Sequence, residues 1–246
     1  MHILCWDDKM SRLSKSERYS FSSCLDKEKY AQPLGDAFIK QVYMTTGQRM
    51  DYNIHPTEQK SDIDILVRMS DKLVGISEKF RYNNHYDDIL LEIFSDVQKN
   101  TLGWSIKSKA DIMHYFRIGE IDDPCTVDII SMDLITNAAR LIFRDLMERG
   151  DCNIDITDNI MRDPYPGADY RISCIPSRKG DHKWVGLVAA VKKEFLLDCN
   201  PEPGRIDTFK VKVKKSEDLW VPASLFKYDS IMKQIDTKQN PYHEYI

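Results

Sequence analysis

Between Ser61 and Arg81 the chain has the pattern of a β-hairpin that carries charge where a strand would ordinarily carry core. Ser61-Asp62-Ile63-Asp64-Ile65-Leu66-Val67-Arg68 and Leu73-Val74-Gly75-Ile76-Ser77-Glu78-Lys79-Phe80-Arg81 read as strands, and Ser70-Asp71-Lys72 between them is turn chemistry. Acids stand on the first strand and an adjacent Glu-Lys pair on the second. A third run, Asp88-Ile89-Leu90-Leu91-Glu92-Ile93-Phe94-Ser95, puts one carboxylate inside an otherwise apolar strand. Glutamate is almost never fully buried unless it is paired or bound. Glu92 therefore needs a partner, either Lys79 on the neighbouring strand or a metal shared with Asp64.

Such a grouping suits phosphodiester hydrolysis. That reaction needs an activated water and relief of negative charge on the phosphate, and a divalent cation held by carboxylates supplies both. Mg²⁺ takes oxygen ligands and keeps several waters, so two or three carboxylates suffice, and Mn²⁺ can take the same place. A lysine beside them holds the attacking water or stabilises the pentavalent phosphate as a point charge. The candidates are Asp64, Glu78 and Glu92 as metal ligands and Lys79 as the catalytic cation. Taken singly, Asp62 and Asp64 read as turn or edge acids and Glu78-Lys79 as solvated charges; their order along three successive strands favours the site.

In that order the residues resemble the restriction-endonuclease-like PD-(D/E)XK nuclease superfamily. The resemblance rests on Gln59, Ile63-Asp64, Glu78-Lys79, Leu91-Glu92, Gly103-Trp104 and Ala110-Asp111, and covers about residues 30 to 118. It implies that Asp64 ligates metal, that Lys79 is the catalytic lysine and that a glutamate completes the site. One position departs from the pattern. In the usual motif the acid lies two residues before the lysine, on the same strand face, and here that residue is Ser77. Either a β-bulge re-aims Glu78, or Glu92 takes the acid's place, or the fold survives without catalysis. The superfamily often adds an acid from a preceding helix, and Asp36 lies in such a candidate helix, Asp26 to Val42, interrupted by Pro33.

Beyond the third strand, Gly103-Trp104 reads as a turn with an aromatic anchor packed under the sheet, with base stacking as the alternative. Ala110 to Phe116 reads as a helix. Lys79, Arg81, Lys107 and Lys109 would put positive charge around a cleft and neutralise phosphates.

Composition sets bounds on these readings. The chain has 246 residues, 42% hydrophobic and 10% aromatic, an ordinary globular balance with enough length for a substantial core. Its 35 Lys and Arg against 39 Asp and Glu give a net charge of -4, which argues against bulk coating of DNA and requires any nuclease to rely on a local basic groove. No apolar run is long enough to span a bilayer, and Met1 to Asp8 lacks the basic start and apolar core of a signal peptide, so the expectation is a soluble, intracellular, cytoplasmic protein without a membrane partner. The six cysteines, at 5, 24, 125, 152, 174 and 199, and the six histidines show no zinc-ligand or disulfide spacing, which favours a hard cation on carboxylates.

The second half is less specific. Asp128 to Arg149 has a helical apolar pattern, Leu134, Ala138, Leu141, Ile142 and Leu146, ending at Gly150, and serves the core or a homodimer face. Residues 151 to 182 read as loop-rich with short strands, and Ser177 to Trp184 as a basic hairpin tip or a phosphate contact. Trp184 to Leu197 alternates between apolar strand and charged turn. Phe209 to Lys215 is a period-two strand with lysines on one face, which suggests an edge or a groove wall.

The expected fold is α/β, a restriction-endonuclease-like mixed β-sheet core with flanking helices over 1–120, extended by a C-terminal α+β region over 121–246 that either stands apart or belongs to the same domain. The expected function is metal-dependent phosphodiester hydrolysis, in DNA ahead of RNA. The alternative is a catalytically inactive module of that fold that binds nucleic acid or a protein partner.

Overall fold

The computed structural model describes residues 21–50, 54–82, 87–119, 124–148, 170–179, 182–216 and 219–233. Met1 to Asp8, most of the loop-rich 151–182 segment, the turn after Gly119 and the tip of the Ser177 to Trp184 hairpin lie outside the described residues.

The chain is mixed α/β with few helices. Helix α1 (Phe21–Val42) precedes a short strand β1 (Gln48–Arg49), a one-turn helix α2 (Pro56–Lys60), and the hairpin β2 (Ile65–Met69) and β3 (Lys72–Tyr82). Then come β4 (Asp88–Asp96), β5 (Thr101–Leu102), α3 (Trp104–Lys107), β6 (Ile112–Ile118), β7 (Pro124–Ser131) and α4 (Met132–Glu148). The chain continues through β8 (Tyr170–Lys179), β9 (His182–Lys192), α5 (Lys193–Asp198), β10 (Arg205–Ser216), β11 (Leu219–Pro222) and β12 (Lys227–Lys233).

The strands form two sheets. An eight-stranded mixed sheet runs β1-β2-β3-β6-β7-β10-β11, with β12 also on β10, and β3 and β6 pair in parallel. A four-stranded antiparallel sheet runs β5-β4-β9-β8. Both sheets draw strands from either side of residue 120, so the two halves of the chain share their cores.

The hairpin forms with its turn through Ser70 in the left-handed region, φ 53°, but its first strand begins only at Ile65, so Ser61 to Asp64 precede it as a turn and approach instead of forming strand. Several expectations change. Glu92's strand is not the neighbour of β3: that place belongs to β6, and β4 pairs with β9 in the other sheet. The segment read as a helix from Ala110 is strand β6, because Ile112, Tyr115, Phe116 and Ile118 suit a central strand flanked on both edges; the helix there is the single turn α3. Residues 128–131 are the end of β7, and helix α4 begins only at Met132. The lysine-faced strand β10 is not an edge, since β7 takes one side and β11 and β12 the other. Its exposed Lys210, Lys212 and Lys214 alternate with buried Val211 and Val213. Helix α1 runs through Pro33.

Two apolar layers clamp the large sheet. On its outer face Ala31, Leu34 and Phe38 of α1 pack on Phe80, Phe116 and Val127, all nearly inaccessible to water. Phe38 makes edge-to-face contacts with Tyr43, His114, Phe116, Phe209 and Phe226. On the inner face Met113, Tyr115 and Ile130 meet Ile89, Leu91 and Ile93 of β4 and Ile135, Ala138 and Ile142 of α4. Among the described residues no helix is long and apolar enough to cross a membrane.

Candidate functional site

Strand alternation sends Ser77, Lys79 and Arg81 to the inner face of β3 and Ile76, Glu78 and Phe80 to the outer face. Pairing of β3 with β2 and with β6 runs without a register shift, so no bulge re-aims Glu78. The approach to β2 bends at Asp62, whose left-handed φ of 60° an Asp tolerates better than most residues. This turn brings Asp62 back over the inner face, and Asp64 enters the sheet through its N–H to the Ile76 carbonyl, 2.9 Å.

Lys79 is the hub. Its Nζ donates to Asp62 Oδ1 at 2.7 Å and stands 3.7 Å from Asp64 Oδ2. Ser77 Oγ donates to the other oxygen of Asp62 at 2.8 Å, and the Glu78 backbone N–H donates to Asp64 Oδ2 at 2.8 Å. All four side chains are buried. Asp64 Oδ1 has no hydrogen-bond partner among the described residues. The two acids consequently titrate apart. Burial pushes both up, but the Lys79 ion pair and the Ser77 hydroxyl bring Asp62 below the usual carboxylate range, whereas burial prevails at Asp64 and leaves it raised.

Glu92 approaches this centre from the second sheet. The Trp104 backbone N–H donates to its Oε2 at 3.1 Å, and Lys79 Nζ lies 4.8 Å from the centroid of the Trp104 ring, a cation-π contact. Burial raises the Glu92 carboxyl, opposed by the Trp104 N–H, Lys79 and Lys107. Gly103 makes the arrangement feasible: a Cβ there would sit 1.9 Å from the Glu92 carbonyl oxygen.

Glu78 stands apart from these groups. Its side chain lies on the outer face under α1, where Arg49 Nη1 donates to Oε2 at 2.6 Å, and Arg49 Nε also reaches Asp36 at 2.8 Å. Gly35 leaves room for it, since a Cβ there would lie 2.2 Å from Glu78 Oε1. Burial outweighs the Arg49 pairing and raises the Glu78 carboxyl to about 7. The fold thus brings Asp62, Asp64 and Lys79 together, links Glu92 to them through Trp104, and joins Glu78 through Arg49 to Asp36 on the opposite side of the sheet. Lys107 and Lys109 are exposed, and Gln59 lies on α2.

Two groups of functional character escaped the sequence reading. Asp62 is the direct partner of Lys79, and strand alternation could not show it, because Asp62 sits at a left-handed bend before β2 and not in an extended segment. A second inner-face network joins Arg81 to Asp88, Arg171 to Asp88 at 3.2 Å, Arg117 to Asp128 at 2.8 Å and Lys193 to Asp128 at 2.7 Å. Its signal was a charge inside an apolar run, as at Glu92: Arg117 lies between Phe116 and Ile118.

Among the described residues no three His, Cys, Asp or Glu side chains are placed to share one ion. Mg²⁺ asks for less, one or two carboxylates completed by water and substrate oxygens. A buried carboxylate oxygen without a hydrogen bond among the described residues, Asp64 Oδ1, fits that demand. Neither a family model, nor a curated protein, nor a solved structure matches the chain.

Proposed function

We propose that the protein is a metal-dependent nuclease that hydrolyses phosphodiester bonds, DNA before RNA, at the centre formed by Asp62, Asp64, Lys79 and Glu92. The observation that carries this reading is Lys79 Nζ, 2.7 Å from Asp62 and 3.7 Å from Asp64, beside a carboxylate oxygen that has no hydrogen bond among the described residues. The mixed sheet with its antiparallel β2–β3 hairpin and parallel β3–β6 pair supports it further.

In this reading Asp64 and Glu92 would hold Mg²⁺ or Mn²⁺, which supplies Lewis-acid activation of water and of the phosphate. Lys79 places an ammonium against the charge that grows on the phosphate oxygens, where a preorganised cation is worth most. Asp62 fixes the position of that ammonium, and Ser77 fixes Asp62, so the serine at the usual acid position acts as an orienting residue. Glu78 holds β3 to α1 through Arg49 and takes no part in the chemistry.

A second reading rests on the burial of Lys79, 4% exposed, against Asp62, 3% exposed. A closed ion pair between two sheets also suits a silent module of this architecture that binds nucleic acid or a protein partner. The deciding experiment is cleavage of single-stranded DNA, double-stranded DNA and RNA with Mg²⁺ or Mn²⁺, using wild type and Asp64→Asn. The nuclease reading expects metal-dependent cutting that falls at least about hundredfold in the variant. A folded wild type that cuts none of the three favours the silent module.

A further inference from the structure

The inner face of the large sheet holds a second group of cations that the proposed hydrolysis does not use. Arg117 of β6 and Lys193 at the start of α5 have side chains only 4% and 7% exposed, and both bind Asp128, at 2.8 Å and 2.7 Å. Asp128 is fully buried and also accepts a hydrogen bond from Thr208 Oγ1 at 2.6 Å. One carboxylate between two buried cations leaves positive charge uncompensated, and Asp87 sits over it. Its Oδ1 is 2.8 Å from Arg117 Nη1 and 3.7 Å from Lys193 Nζ, while its side chain is 84% exposed.

The Asp87 contact is poorly directed. Arg117 Nη1 is buried and close to Asp87, yet it makes no hydrogen bond among the described residues. A buried guanidinium nitrogen is costly without a well-aimed acceptor, and Asp87 meets both Nη1 and Lys193 Nζ through a single oxygen, Oδ1. A tetrahedral oxyanion offers more acceptor directions to an arginine fork and an ammonium together. We infer that Arg117 and Lys193 form a phosphate subsite, with the Asp87 carboxylate as its exchangeable occupant when no ligand is bound.

The inference deepens the nuclease reading and rests on it for the source of the phosphate. Lys79 and Arg81 share a face of β3, about 7 Å apart along the strand, and Arg81 is the register partner of Arg117, about 5 Å across. The subsite therefore continues a row of inner-face cations that begins at Lys79. A strand with one phosphate at Lys79 would present a neighbouring phosphate to Arg117 and Lys193 after displacing a single exposed side chain.

The test is calorimetric binding, without metal, of inorganic phosphate and of a short single-stranded oligodeoxynucleotide to Asp64→Asn protein and to the same protein carrying Asp87→Asn. Because the background is the cleavage-defective variant, the result is independent of whether the protein cuts. Removing an exposed competing carboxylate should tighten both probes by about three- to fivefold. Lys193→Gln, checked for folding by circular dichroism, should weaken both. Unchanged phosphate affinity in Asp87→Asn, or no phosphate binding by folded protein, would overturn the subsite. Tightening for inorganic phosphate alone would overturn its assignment to a nucleic-acid strand. No cleavage by folded wild type in the separate assay, with both probes still tightened by Asp87→Asn, would remove the nuclease reading and leave the subsite standing.

Discussion

The two faces of β3 solve the same problem, a charged side chain in a buried strand, in opposite ways. On the inner face Lys79 is surrounded by Asp62, Asp64 and Trp104, and Arg81 by Asp88, so each charge has a buried neighbour of opposite sign or a π-face. On the outer face Glu78 is a single carboxylate in an apolar layer of Phe38, Phe80 and Phe116, tied to Arg49 through one oxygen while the other has no hydrogen bond among the described residues. The balance at each carboxyl decides its direction: the Lys79 ion pair and the Ser77 hydroxyl outweigh burial at Asp62 and lower it, whereas burial prevails at Asp64 and Glu92 on the same face and at Glu78 on the other, and raises all three.

The sharpest way to break this comparison is to ask which face contributes more to stability. Phe38→Ala removes the ring that touches five others, and should cost about 4 kcal/mol by chemical denaturation. Lys79→Met leaves Asp62 buried without its cation and should cost about 3 kcal/mol, most of it recovered when Asp62→Asn is added. A double-variant cycle without recovery would mean that the pair is not coupled and that the inner-face network is a list of separate contacts.

Glu78 should impose a pH dependence of its own. Its carboxyl is raised to about 7 in the folded state from an ordinary 4.5, so the native protein binds the extra proton. Stability from this group is complete below about 4.5 and is lost as pH rises to about 7, a fall on the order of 3 kcal/mol. Glu78→Gln should flatten that part of the curve measured by urea denaturation from pH 5 to 8. An unchanged slope would show that the proton sits elsewhere. The smallest effect belongs to Ser77→Ala, which removes one buried hydrogen bond to Asp62 and should cost about 1 kcal/mol; a neutral result would mean that Lys79 alone orients Asp62.

The hairpin, the alternation that separates Glu78 from Lys79, and the need of Glu92 for a partner were all readable from residues 61–95, because period-two patterning and the cost of a buried charge act locally. Helix α4 was readable from Met132 onward for the same reason. By itself the sequence determined which residues on β3 share a face and that charges would be buried there. Tertiary structure alone decided who meets whom. It inserted β6 beside β3 and moved β4 into a second sheet, so Glu92 faces Lys79 across a layer boundary instead of along a shared ladder. It also joined Arg117, Asp128, Lys193 and Thr208, which lie as much as 91 positions apart in the sequence. Strand order and sheet packing depend on the burial of whole faces, a quantity summed over distant segments, and no local window of residues contains it.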